Sequence, residues 1–308
     1  MPQAIYPEGM QICRMVFMRF SMQHFYVITN DIKDKGFTVT GQIENYLKEQ
    51  GRRCTVRSAV RRAGGEDYHY TDASQIPEDV DCIIVLGGDG TLLQAARDVV
   101  DRNIPLLGIN LGTLGYLAEI ERNKIIPALD QMIRGDYAIE RRMMLQGTVY
   151  HKGKQIARDL ALNDIVISRE GMLRVVNFLS YVNGSFLTAY KADGIIISTP
   201  TGSTGYSLSA GGPIVAPGAY MLLMTPLAPH TLNTRSIVFS PDDKIVVEIG
   251  PGRDGSEEKG MASFDGDTSI RLVTGDRIEI ERSEQDTQIV KISNRSFLET
   301  LRKKMSVN

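Results

Sequence analysis

Two stretches of this 308-residue chain crowd together residue types that can do chemistry. The first is Gly87-Gly88-Asp89-Gly90-Thr91, which follows the apolar run CIIVL and precedes the periodic segment LLQAARDVV. Glycines let backbone amides approach a bulky anion, and the amino end of a following helix carries partial positive charge, so phosphate is the natural guest. Asp89 sets this loop apart. A carboxylate repels phosphate unless it holds a metal ion or accepts a proton, so its presence points to chemistry rather than mere binding. The alternative is a tight turn in which Asp89 caps the helix. The run has neither the GK[ST] ending of a Walker loop nor GxGxxG spacing, and it does not name a substrate.

The second stretch, DGIIISTPTGSTGYSLSAGGP, runs from Asp193 to Pro213 and places eight hydroxyls between Ser198 and Ser209. Hydroxyls with glycine amides can solvate a ribose or a diphosphate, although a plain Ser/Gly loop has the same composition. Asn163 and Asp164 interrupt the apolar pattern LALNDIVIS, where an unpartnered buried carboxylate is costly. They either have partners, from protein or ligand, or face water at a sheet edge. His230 in PLAPHTL fits a turn and a ligand contact equally, with no second residue at a metal-binding spacing.

These loops need rigid elements to hold them. HFYVIT, TVRSAV, CIIVL and PLLGIN read as strands. Helical spacing appears between them at Val39, Ile43, Tyr46 and Leu47, in LLQAARDVV, and after them in IIPALDQMI. CIIVL lacks polar alternation, as a strand buried on both faces of a parallel sheet does. Alternating strands and helices define βαβ units, whose ligands bind at the carboxyl edge where GGDGT falls. From about Arg141 the pattern changes to short strands with turn signals, among them Asn183-Gly184, suited to a two-residue type I′ hairpin. The expected fold is α/β plus all-β. A Rossmann-like three-layer α/β domain spans 22–140, and a β-rich, sandwich-like domain spans 141–292. A helix within 293–308 packs back on the N-terminal domain, and an unstructured extension covers 1–21. A cleft between two such domains is a common ligand site.

Composition narrows the partners. Thirty-five basic and 37 acidic residues give a net charge of −2, which implies no bulk attraction to nucleic acid or membrane. No apolar run approaches the roughly 20 residues that span a bilayer. Cys13, Cys54 and Cys82 are odd in number and scattered, as in a reducing, cytoplasmic setting.

Taken in order, the motifs resemble those of the NAD kinase family, within the wider group of GGDGT kinases. They are GGDGT at Gly87, NLGTLGYL at Asn110, ERRMML at Glu140, LNDIVIS at Leu162, KADGIIISTPTGSTGYSLSAGGPIV at Lys191, APHTL at Ala228 and FLETLRKKM at Phe297. The resemblance implies transfer of the γ-phosphoryl of ATP to the 2′-hydroxyl of the adenosine ribose of NAD, giving NADP and ADP. It sets Asp89 opposite that hydroxyl, to take its proton or to orient it. Gly87, Gly88, Gly90 and Thr91 then surround the donor phosphates. No direct protein motif for a metal is read: Mg²⁺ or another divalent cation rides on those phosphates, with Asp89 as a candidate contact.

By the same resemblance, Asn163 and Asp164 meet the adenosine, and Thr201, Thr204, Gly205, Tyr206 and Ser209 meet the dinucleotide. Asp193, Lys191 and Arg174 meet its nicotinamide side or the diphosphate. Tyr116 packs on the adenine or fills the core, and His230 and Asp267 complete the set. Members more often carry alanine at Gly205, cysteine at Ala228, proline at Ser236 and glutamine at Asp267, where the extra negative charge would oppose an anionic ligand. A homodimer or homotetramer is also implied. The competing readings are a lipid or sugar kinase of the same group and a non-catalytic NAD-binding sensor. The latter would gain little from a carboxylate aimed at phosphate.

Overall fold

The computed structural model describes residues 16–18, 20–30, 32–58, 71–112, 115–118, 120–171, 175–231, 234–292 and 296–306. The first half carries β1 (Val16–Met18), β2 (His24–Thr29), α1 (Thr38–Glu49), β3 (Arg53–Ser58), β4 (Cys82–Gly87), α2 (Asp89–Asp98), β5 (Leu106–Asn110), β6 (Ile120–Glu121) and α3 (Ile125–Arg134). Next come β7 (Tyr137–His151), β8 (Lys154–Ala161), β9 (Asp164–Arg169), β10 (Val176–Val182), β11 (Ser185–Ala192) and β12 (Gly194–Ser198). The chain ends with α4 (Tyr206–Ser209), β13 (Leu222–Leu227), β14 (Ile237–Phe239), β15 (Ile245–Ile249), β16 (Lys259–Phe264), β17 (Thr268–Val273), β18 (Arg277–Lys291) and α5 (Phe297–Met305).

The apolar runs of the first half form the parallel array β5-β4-β2-β3. Because β2 and β4 are buried on both faces, their side chains feed two cores. Phe25, Val27, Ile84 and Leu86 pack with α1 and α3, while Tyr26, Ile28, Ile83 and Val85 pack with Leu92 and Ala95 of α2. This is the three-layer arrangement expected for βαβ units.

In the second half, β14-β13-β12-β9-β16-β17 faces the extension of the first sheet through β18, β15, β10 and β11. Phe178, Val247 and Ile280 of one sheet and Ile165, Ile195 and Phe264 of the other share a single buried cluster. Asn183 and Gly184 have φ of 49° and 79°, as a type I′ hairpin requires.

Several features go beyond the sequence pattern. β7 and β18 each run 15 residues and pair along most of their length, so the chain passes residue 140 inside a strand. Ile289 of β18 also pairs with Leu106 of β5, which makes the first sheet continuous across both halves. Within the stretch expected to be an unstructured extension, Val16–Met18 instead pair with Tyr137–Ile139, whose edge offers free backbone groups. β13 contains Pro226, which is tolerated since β14 pairs only as far as Met224. α5 is closed by a Ser296–Glu299 capping box, and Lys303 reaches Glu121 at 3.8 Å, so it does pack back on the first half. None of its residues is fully buried, and Leu298 is exposed. Among the described residues no helix is long and apolar enough to cross a membrane.

Candidate active site

β4 stops at Gly87, Gly88 caps α2, and Asp89 is the first residue of that helix. Space demands the first glycine, where a Cβ would lie 2.3 Å from Thr91 Oγ1, whereas at Gly88 a Cβ would meet only the mobile end of Lys33, at 2.8 Å from Nζ. The first-turn amides of Gly90 and Thr91 thus open toward the carboxyl edge of the sheet, where an anion is favoured. Leu111 N–H donates to Gly87 O at 2.8 Å. Beside it a cavity of about 370 Å³ opens between Asn110–Gly112, Glu121–Asn123 and Lys303.

Asp89 reaches into a different loop. Its Oδ2 accepts the N–H of Tyr116 at 2.7 Å, and its Oδ1 accepts those of Leu117 at 3.2 Å and Ala118 at 3.0 Å. Gly115 closes over the group so tightly that a Cβ there would lie 1.9 Å from Oδ1. Capping of α2 is therefore not what occupies this side chain. A carboxylate has about four lone-pair positions, so one on Oδ2 is left for a hydroxyl or an ion. The Tyr116 ring has the Lys304 ammonium of α5 at 5.2 Å from its centroid, so a cation stands over one face of the ring.

The second group forms where Asp164 of β9 pairs with Ser198 of β12. Thr199 donates its N–H to Asn163 O at 2.9 Å and its Oγ1 to Leu162 O at 2.6 Å. Gly202 approaches so closely that a Cβ would lie 2.1 Å from Asn163 O. A Cβ on Gly205 would stand 3.6 Å from Asn163 Nδ2 and 3.8 Å from Asp164 Oδ2.

Much of the hydroxyl density builds this loop. Ser203 Oγ donates to Pro200 O and accepts from Val215 N–H, Thr204 donates to Thr201 O, and Ser207 pairs with Thr225. Thr201 Oγ1 accepts from the buried Arg142 at 3.3 Å, and Arg142 also pairs with Glu140 at 2.8 Å. Tyr206 and Ser209 are exposed.

A further carboxylate repeats the arrangement around Asp89. Asp265 Oδ2 accepts Leu162 N–H at 2.8 Å, and Oδ1 accepts those of Asn163 at 2.8 Å and Asp164 at 3.0 Å. Asp265 and Gly266, with φ of 50° and 75°, turn the β16–β17 hairpin. Asp164 is buried, not facing water at an edge. Burial, and then the charge of Asp265, pushes its carboxyl up to about 7. Burial also raises Asp265, against the pull of its three amide donors and Arg97.

The remaining expected residues are not drawn into these groups. Lys191 O accepts His230 N–H at 2.8 Å, and Asp193 pairs with Arg169 at 2.8 Å. Lys191, Asp193 and His230 lie at the Gly194 end of β12, whereas the hydroxyl loop leaves from Ser198. The four residue steps of this strand separate the two ends by roughly 13 Å. Asp267 is 3.2 Å from Arg97, so a guanidinium answers the charge expected to oppose a ligand. Arg174 lies outside the described residues. Among those residues no cluster of three His, Cys, Asp or Glu is placed to hold a metal.

Sequence reasoning missed Asp265, Lys33 and Arg142. The Asp-Gly pair between strand-forming runs was the available sign of the first. A lysine in the polar loop after the first strand was the sign of the second.

A buried parallel strand that ends in a glycine turn, with an amide-held acid at the head of the next helix, defines an α/β enzyme that handles phosphate. The family models described as ATP-NAD kinase N-terminal domain and ATP-NAD kinase C-terminal domain match residues 23–137 and 162–292. The NAD kinase of Lachnospira eligens is 44% identical over 293 residues, covering 92% of this chain and 100% of that protein. That of Agathobacter rectalis is 48% identical over 285 residues, covering 92% and 99%. Yeast NADH kinase complexed with NADH shares the fold, with a TM-score of 0.80 at 24% identity over 97% of this chain and 93% of that one. An NAD kinase from Archaeoglobus fulgidus in complex with ATP superposes with a TM-score of 0.69 at 25% identity, over 92% and 98%. The chain belongs to the ATP-NAD kinase family and is a phosphotransferase.

Proposed function

We propose that the chain transfers the γ-phosphoryl of ATP to the 2′-hydroxyl of the adenosine ribose of NAD, giving NADP and ADP. The observation that carries this reading is Asp89 at the head of α2, held by three amides with one lone pair of Oδ2 left over. Phosphoryl transfer is largely positioning and charge stabilisation, so an acceptor that holds the attacking hydroxyl in line suffices. Gly87, Gly88, Gly90 and Thr91 meet the donor phosphates, and Lys33 adds a positive charge beside Gly88. Mg²⁺ or another divalent cation arrives with ATP as part of the substrate and neutralises its phosphates.

Asn163 and Asp164 meet the adenosine, while Thr201, Thr204, Gly205, Tyr206 and Ser209 line the dinucleotide, with Arg142 bracing Thr201. Lys191, Asp193, His230 and Arg174 serve the nicotinamide or diphosphate end. The family resemblance also supports a cytoplasmic homodimer or homotetramer without a nucleic-acid or membrane partner. Light scattering on the purified 34.1 kDa chain tests self-association.

The chemical test combines ATP or polyphosphate with NAD or NADH in the presence of Mg²⁺. Product is read with a dehydrogenase specific for NADP or NADPH. Product with ATP and NAD is expected; none above blank in any combination rejects the reading.

A further inference from the structure

Arg97 lies in the last turn of α2, the helix that begins with Asp89. Its guanidinium points into the other half of the molecule. Nη2 donates to Asp159 Oδ2 and Thr268 Oγ1, both at 2.6 Å, and Nη1 donates to Phe264 O and Asp267 Oδ2, both at 3.2 Å. One acceptor belongs to β8, and the other three flank the β16–β17 turn that carries Asp265. Asp265 in turn holds the amides of Leu162, Asn163 and Asp164. One helix therefore bears Asp89 at its head and, about 12 Å along at 1.5 Å per residue, a guanidinium tied to the support of the acceptor site.

We propose that Arg97 is a positioning residue for phosphoryl transfer: it fastens the helix of Asp89 to the hairpin of Asp265 and so sets the separation between donor loop and acceptor ribose. This rests on the kinase reading of the site. In-line transfer tolerates little displacement, and a misplacement of about 1 Å can lower the rate about 10²-fold. A planar fork with four acceptors fixes direction as well as distance, which the single ammonium of lysine does not. The side chain is 6% exposed and its Nε is buried without a partner, a cost an apolar side chain of similar volume would avoid. Its charge also faces Asp159 and Asp267, and it opposes the effect of burial on Asp265.

The test is Arg97→Lys, with steady-state kinetics in both substrates, NAD affinity by calorimetry and thermal melting. The expected result is a folded protein whose kcat falls about tenfold or more while both KM values stay within about threefold of wild type. A lower melting temperature with unchanged kcat overturns the proposal, because it leaves Arg97 a purely structural role. A loss found wholly in the KM for NAD overturns it as well. Should Arg97→Lys fail to fold, Asp267→Ala and Thr268→Val each remove one acceptor. A kcat decrease that deepens in the double variant is then expected, and unchanged kcat in all three overturns the proposal. The two levels of claim separate cleanly. A wild-type protein that forms no NADP removes the kinase reading and this role with it, whereas an active wild type with an indifferent Arg97→Lys removes this inference alone.

Discussion

Asp89 and Asp265 are held alike, each by three consecutive backbone amides, from 116–118 in one case and 162–164 in the other. Their surroundings differ. Asp89 stands at the head of a helix beside a glycine turn, with one lone pair of Oδ2 left beyond its three amides, the one proposed to meet the acceptor hydroxyl. Asp265 lies in a hairpin turn against a second carboxylate, and its charge helps raise Asp164 to about 7. On the proposed reading, the same local device serves reaction in one region and support in the other. What decides between them is the group that stands beyond the three amides.

The sharpest way to break this contrast is Asp89→Asn. Turnover should fall by about 10² to 10⁴, the usual weight of a positioned acid–base group. The new NH₂ also confronts amide donors, which costs about 1–3 kcal/mol of stability. Melting and NAD binding must therefore be followed beside kcat. Gly115→Ala reaches the same carboxylate without changing it, because the new Cβ would lie 1.9 Å from Oδ1. A kcat loss close to that of Asp89→Asn is expected, and near-normal turnover would show that this close fit is dispensable.

Asp265→Asn should act on the other side of the comparison. It loosens the backbone of Asn163 and Asp164, and a loss of about 1.4 kcal/mol would weaken NAD binding about tenfold. A fall in kcat with unchanged NAD affinity would contradict the supporting role.

The smallest effect is a pH dependence. Asp164 is raised from 3.8 to about 7, so the folded protein keeps a proton that the unfolded chain releases. Its contribution to stability is full below about 3.8 and is lost as pH rises through about 7. Denaturation midpoints at about pH 5 and about pH 8 should show wild type losing ground to Asp164→Asn at the higher pH. Parallel profiles for the two proteins would remove the raised carboxyl from the picture.

The contrast also explains what the sequence could reveal. GGDGT was legible because its chemistry is local: a buried strand, a glycine turn and a helix start lie within a few residues. Asp265 meets its amides across more than 100 residues of chain, and Arg97 reaches Asp267 across 170, distances at which no spacing rule operates. Tyr116 was chosen for its ring, yet its amide is what holds Asp89. The hydroxyl-rich loop was recognised as a whole, but composition cannot say that Ser203 and Ser207 face inward while Tyr206 and Ser209 face out. Lys191 and Asp193 share one motif with that loop, and the direction of β12 puts them at its other end, where His230 from a separate motif joins them. Strands with strong apolar runs were readable. The polar β8 and the full lengths of β7 and β18 depend on pairing partners far along the chain.

The most direct measurement is NAD affinity by calorimetry, taken on Asp89→Asn and Asp265→Asn beside wild type. Asp89→Asn should bind NAD like wild type despite its lost turnover, and Asp265→Asn should bind it about tenfold more weakly. Equal weakening in both variants, or the reverse order, would contradict the division between a reacting and a supporting carboxylate.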